Sequence, residues 1–380
     1  MFLSLRELVF ARGRFTLMGV VIGLISILMV MLSGLSSGLV NDGVSGLKAL
    51  PVTSFAFNEG TMKDNAFSRS SVDEGQVASW SKADGVENAE AMGVSIVNGT
   101  TQTGHQIDLT LFGVTPGGFL TPSATAALSD AAPGDVVLSE TARDDGVAVG
   151  DTVTLDRSEV QLRVAGFTEN QATFGHVDVA YIPLATWQYL AGGQTKPGAP
   201  TQQAIDARTD RLASVVAVRA ADGATVDTAA ADAAAHTMTM TKTDSFNASP
   251  GYQAETMTLT MIQVFLYAIC ALVVGAFFAV WTIQRSRELA VMRAIGAPAR
   301  FLLGDALAQA AIVLVLFTAI GVAAGLGLGA IMPSAMPFSL EVGPVATATV
   351  LTIVLGLIGA AVSVLRVTRV SPLSALGGSR

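Results

Sequence analysis

Cysteine is nearly absent. Cys270 is the one example in 380 residues, so no disulfide within the chain can staple any part of it, and a folded domain must rest on its own apolar core. Histidine is almost as scarce. His105, His176 and His236 stand far apart, without HExxH or zinc-ligand spacing, which argues against a metal enzyme. The GxxxxGK[ST] phosphate loop is missing, so the chain cannot cradle a nucleotide in the Walker manner, and any ATP energy enters through another subunit. A GxSxG elbow is missing too, and three histidines suggest no triad, so no catalytic residues are expected. Charged residues make up only 14%, and their balance is acidic, 22 Lys and Arg against 30 Asp and Glu, which argues against nucleic acid as a partner.

What is present is apolar: 51% of residues are hydrophobic, gathered into four long runs at 16–40, 257–283, 307–332 and 346–365. Each is long enough to cross a hydrocarbon core of roughly 30 Å as a helix. Between the first and second runs lies an acidic stretch, 41–255, with 12 Lys and Arg against 26 Asp and Glu. The segments 1–15, 284–305 and 366–380 are basic, carrying Arg6, Arg12, Arg14, then Arg285, Arg287, Arg293, Arg300, then Arg366 and Arg369. The positive-inside rule then predicts a multi-pass plasma-membrane protein with both termini and the 284–305 loop cytoplasmic. The 41–255 domain and the short 333–344 loop are expected outside. The first run is 25 residues long and has no obvious small-residue cleavage site, so it reads as an uncleaved helix. Residues 1–15 read as an amphipathic helix at the inner surface, with Leu5, Leu8 and Val9 opposite Arg6 and Glu7.

Within 41–255, runs of strand composition (SFAFNE, VSIVNGT, HQIDLTLFGV, GDVVLS, DTVTLD, VQLRVAGF, VDVAYIPL and ASVVAVRA) alternate with Gly, Asp and Pro turn signals. Helical patches, VDEGQVASWSKADG and TVDTAAADAAAH, fall among them, and 192–204 has loop composition. An α+β extracellular domain between helices one and two of a four-helix membrane protein follows. In the membrane, Gly19 and Gly23, Gly34 and Gly38, and Gly321, Gly325 and Gly329 have the small-xxx-small spacing that lets helix backbones approach, within a subunit or between subunits.

The loop after the second run combines Arg285, Arg287, Glu288, Arg293 and Arg300 with apolar Leu289, Met292 and Leu302. It reads as a short interfacial helix turning at Gly296 and Pro298, able to press into a cytosolic partner. Here RSRELAVMRAIGAPARFLL resembles the R-x-x-E-[ILV]-[AG]-[IV]-[LM]-[KR]-A-[IL]-G-[AS] segment of MacB/FtsX-type (type VII) ABC permeases. Arg285, Glu288, Arg293, Ala294, Ile295 and Gly296 carry the match. Arg14 before GVVIG, VVLSETARDDGVAVGDTVTL in the insert, and RVTRVSPLSALGG after the last run are similar to the same family. The resemblance implies two permease copies on two cytoplasmic ABC ATPase subunits that hold the ATP and Mg, with 286–302 as the coupling helix. Arg285, Glu288, Met292, Arg293 and Gly296 are the implied coupling residues.

The dimensions look most like the heme-export permeases of the HrtB type, which implies an HrtA-like ATPase and heme as substrate, with no resident cofactor. A strand over SFAFNE puts Phe55, Phe57 and Glu59 on one face, and Tyr252, Glu255, Met257 and Met261 lie where the chain re-enters the membrane. Heme taken from the outer leaflet then implies Glu59 as axial iron ligand, Glu255 as fallback, and Phe55, Phe57, Tyr252, Met257 and Met261 as surroundings. The alternatives for these residues are a solvated carboxylate, core phenylalanines and lipid-facing methionines. For the function they are export of another hydrophobic small molecule, antibiotic or peptide, or mechanotransmission to an envelope protein.

Overall fold

The computed structural model describes residues 12–121, 132–144, 146–208, 211–284, 291–292, 295–296, 298–333 and 336–368. The expected helix at 1–15 therefore lies outside them up to residue 11, as do 369–380 of the C-terminal tail. In chain order the elements are α1 (Arg12–Ala49), β1 (Ser54–Asn58), α2 (Glu74–Trp80), β2 (Val86–Thr101), β3 (Gln106–Val114), β4 (Asp135–Leu138), β5 (Thr152–Leu155) and β6 (Gln161–Phe167). They continue with β7 (Thr173–Phe174), β8 (Val177–Pro183), α3 (Leu184–Ala191), β9 (Val215–Ala220), α4 (Thr228–Ala235), β10 (Thr237–Thr241), α5 (Tyr252–Gln284), α6 (Ala299–Ala330) and α7 (Val342–Thr368). Four helices long and apolar enough to cross a membrane, one N-terminal and three C-terminal, thus flank an α+β domain. The chain divides into two compact units, 1–39 with 256–380, and 40–255.

The helical unit is packed through its glycines. A Cβ on Gly19 would lie 2.2 Å from the Phe317 ring, on Gly321 2.5 Å from the Gly23 carbonyl oxygen, and on Gly325 2.8 Å from Val30. Gly34 and Gly329 both face Phe338, and Gly38 faces the Pro337 carbonyl at 2.2 Å. The notches read from sequence are therefore occupied within the chain. α5 and α7 meet at Gly275 and Gly359, where an added Cβ on Gly359 would stand 2.2 Å from the Ala271 carbonyl oxygen. An apolar core of Met18, Ile22, Val274, Phe278, Leu314 and Val364 fills the space between contacts.

The inserted domain is organised by β2, whose 16 residues serve two sheets. Its first half pairs with β9, giving the order β10-β1-β9-β2, and its second half pairs with β3. From there β3-β8-β4-β6-β5 returns to β2 through Gly99↔Leu155, closing a ring of six strands. Closure leaves that part of the sheet without an edge. Ile107, Leu109, Leu111, Val153, Leu162, Val164 and Ile182 form the core associated with the ring. The open sheet is buried on both faces by strict alternation: Phe55, Phe57, Val215 and Ala217 enter one core, while Ala56, Val216 and Val218 enter another with Trp80 of α2 and Ala231 of α4. Trp187 of α3 lies across the facing pair Gly93 and Gly113, filling the space that two side chains would occupy.

Candidate functional site

The residues expected to form one ligand surface separate. Phe55 and Phe57 do share a face of β1, but that face is the core: both are 0% exposed and each stands edge-on to Phe67, at 5.3 and 5.0 Å between ring centroids. β1 ends at Asn58, which leaves Glu59 in the turn beyond it, with Oε2 3.5 Å from His236 Nδ1 and both side chains largely exposed. The expected surface of two rings and a carboxylate is corrected on this point. Three phenylalanines gain more by burying their apolar area against one another than by walling an exposed site.

Tyr252 and Glu255 occupy the first turn of α5, and Met257 and Met261 follow on the same helix, 72% and 53% exposed. Tyr252 stands edge-on to Phe246, 6.1 Å between centroids. Of the coupling residues, Arg285, Glu288 and Arg293 lie outside the described residues. Met292 is half-buried in a helical turn; Gly296 is exposed with φ +103°, a conformation that favours glycine, two residues before Pro298 caps α6. At the adjoining helix ends Arg14 donates to the Gln284 side chain at 2.5 Å, while Trp281 Nε1 donates to Gln309 and Gln309 to Asp305, at 3.3 and 3.0 Å.

Glu255 brings together residues that the sequence did not single out as a group. His176 Nε2 lies 3.1 Å from Glu255 Oε2, and its Nδ1 lies 2.8 Å from Asp42 Oδ2. Asp42 sits near the C-terminal end of α1, two residues before a non-helical Val44. Its other carboxylate oxygen accepts from Gln171 Nε2 at 3.0 Å. Around this trio the entering and leaving segments of the domain are held to the β7–β8 hairpin. Thr173 N donates to Ser45 Oγ (2.8 Å), Gly175 N to the Gly43 carbonyl (2.9 Å), and Ser249 Oγ to the same carbonyl (3.1 Å). Lys242 Nζ completes the junction by donating to the carbonyls of Lys48 and Leu50, at 2.8 and 2.6 Å, where α1 ends and its last carbonyls lack helical partners. Partial burial pulls the Lys242 pKa below its usual value. One signal of this junction was present in TFGHVD: a Gly-His pair between strand residues is a two-residue hairpin turn, which aims the histidine outward from the sheet.

A concavity of about 440 Å³ lies between α2 and α3 and is lined by Val77, Ala89, Glu90, Leu184, Gln188 and Arg211. Desolvation raises the Glu90 pKa, against the lowering effect of the Phe119 backbone N–H and of Arg219. None of the residues singled out from sequence lines it.

Residues 15–236 match the MacB-like periplasmic core domain, and 256–372 match the FtsX-like permease C-terminal. A protein of Staphylococcus haemolyticus, which carries the provisional name hemin transport system permease protein HrtB, is 27% identical over 380 residues, covering 99% of each chain. A protein of the same provisional name from Staphylococcus epidermidis is 22% identical over 378 residues, covering 100% of this chain and 99% of its own. An uncharacterised ABC transporter permease of Mycobacterium tuberculosis is 23% identical over 388 residues, covering 100% and 99%. With a MacB-like core matched over more than half of its length and an FtsX-like part after it, this membrane protein belongs to the MacB/FtsX family and is an ABC transporter permease of the HrtB and MacB type, a family that works with a partner ATPase.

Proposed function

We propose that this permease exports heme, taken from the outer leaflet of the plasma membrane. Two copies of the chain would work with two HrtA-like ATPase subunits that bind ATP and Mg. The observation that carries this reading is full-length similarity to proteins provisionally named for hemin transport. The arginine flanks support an orientation with both termini cytoplasmic and 41–255 outside. For that orientation, a single cysteine at Ser158 in a Cys270→Ala background reacts with an impermeant thiol reagent on intact cells, and one at Ser286 does not. The reverse pattern overturns it.

Burial of Phe55 and Phe57 shifts the leading carboxylate from Glu59 to Glu255. A carboxylate oxygen is a hard donor that suits ferric iron. Glu255 follows Tyr252 by one helical turn and precedes two exposed methionines, so an apolar macrocycle finds thioether and aromatic neighbours beside a charged group. Glu59 remains the second carboxylate of the proposal. The test is a hemin titration of the permease–ATPase complex in lipid nanodiscs, read by the Soret band and by ATP hydrolysis. Glu255→Ala is expected to weaken binding by about tenfold, the loss of one good polar contact; adding Glu59→Ala deepens the loss. Glu288→Arg with Arg293→Ala, at the proposed coupling helix, keeps hemin binding but loses its stimulation of ATP hydrolysis. An unchanged Soret band with full stimulation in the Glu59→Ala/Glu255→Ala variant removes both carboxylates from the site. No hemin binding by the parent complex rejects the heme reading in favour of another hydrophobic cargo, a peptide, or mechanical signalling.

A further inference from the structure

We infer that His176 is a positioning residue of the transport cycle: an imidazole clasp that makes the inserted domain follow the first turn of α5. The inference concerns how motion is carried and holds for any cargo.

The backbone at this histidine is unusual for its residue type. Gly175 and His176 form the two-residue loop between the paired Phe174 and Val177, and both are left-handed, with φ +62° and +63°. A hairpin of this kind favours Asn-Gly, Asp-Gly or Gly-Gly in its loop. Histidine tolerates the left-handed region better than most side chains but worse than glycine, and sparsely populated backbone conformations concentrate at functional positions. The side chain that the turn presents is placed between two carboxylates from opposite ends of the domain, Asp42 and Glu255.

The two contacts are not equivalent. The α1 side is fixed without His176: Ser45, Gly43, Lys48 and Leu50 are bound to the hairpin, to Ser249 or to Lys242 through backbone, hydroxyl and ammonium groups. Glu255 reaches the hairpin through the His176 ring. The ring sets one nitrogen against each carboxylate, so a single side chain joins the two segments. The groups facing the ring are Asp42 from α1, Glu255 from α5 and, across Gly43, the Tyr252 ring; Gln171 orients Asp42 from the segment before β7. With the clasp closed, a displacement of the α5 first turn pulls on the β7–β8 hairpin and through it on the closed ring of strands. With it broken, the carboxylate link is lost while the packing of Tyr252 against Phe246 remains.

The test is hydrogen–deuterium exchange of the full permease with its ATPase in nanodiscs, without hemin, with and without ATP and Mg, corrected for intrinsic rates. Failure of the heme reading leaves this result untouched. In the parent, peptides covering 171–177 and 252–257 are expected to change together when ATP is added. His176→Asn suits the left-handed turn but cannot span both carboxylates, so it separates the shape of the hairpin from the clasp. In that variant 252–257 is expected to exchange about tenfold faster, the size of one charge-assisted hydrogen bond. The ATP response of 171–177 is lost, while β3 and β8 stay as protected as in the parent. Glu255→Ala keeps the helix, removes the contact to the ring and reproduces the loss. A His176→Asn complex that retains the joint ATP response overturns the inference, as does a parent in which the two segments respond independently.

Discussion

Gly359→Val is expected to yield no monodisperse permease. The new Cβ would stand 2.2 Å from the Ala271 carbonyl oxygen and 2.9 Å from its carbon, both backbone atoms, so no side chain can swing aside. The same crossing is tight from the other helix, where a Cβ on Gly275 would lie 3.0 Å from the Gly359 oxygen. α5 and α7 must then part over their whole contact, at a cost of about 3 kcal/mol or more, comparable to overpacking at its worst. Gly327→Val, at a position with nothing within 4 Å of an added Cβ, is the matched control. Extraction in mild detergent, size exclusion and thermal unfolding decide the matter, and a Gly359→Val protein with the yield and Tm of the control would show that the crossing is looser than described.

Phe67→Ala is expected to destabilise the inserted domain by about 3–5 kcal/mol, the usual range for removing a buried aromatic ring. Phe67 is 1% exposed and meets Phe55, Phe57 and Phe174 edge-on, so its loss empties the middle of an aromatic cluster that cannot collapse from one side. For a domain of this size the Tm should fall by roughly 10 °C. Trp80 and Trp187 both lie in the domain and report its unfolding by fluorescence. Met62→Ala, at a residue 64% exposed in the same region of sequence, should leave the Tm nearly unchanged. Equal Tm values for the two variants would mean that the cluster is not a core.

Those rings also mark where sequence reasoning ran short. Period-two alternation put Phe55 and Phe57 on one face correctly, but alternation says nothing about which face is wet when both sides of a sheet are covered, as the buried Ala56 and Val216 on the reverse side show them to be. Each of the eight runs of strand composition contains a strand, because Val, Ile, Leu and Phe at turn-bounded spacing are strong local signals. β10 was missed: TMTMT is short and carries no turn dipeptide on either side. The first half of β2, VENAEAM, was missed because Glu, Asn and Ala are poor strand formers, and its pairing with β9 overrides that preference. The long apolar runs were legible since the membrane permits few alternatives, yet their ends were not: α1 continues to Ala49 through polar NDG. The junction was the least legible part. Asp42, His176 and Glu255 are brought together by chain pairing at long separation, which no local pattern encodes.

The pairing of β1 with β10 sets a timetable for biogenesis. Phe57 faces Met238 and Asn58 faces Thr237, so the strand made first in the inserted domain waits for the strand made last. At ~5–20 residues per second, that interval is on the order of ten seconds or longer, during which α1 is in place and its neighbour α5 has not yet been synthesised. The closed ring, from β2 to β8, is complete well before then and can fold as a unit, whereas β1 keeps an unpaired edge and the apolar faces of Phe55 and Phe57 in the open. A chain without a disulfide to protect that intermediate depends on the speed of its own synthesis and on whatever shields β1 outside the membrane, so slowed translation between residues 58 and 237 is where this permease is most exposed to aggregation and proteolysis.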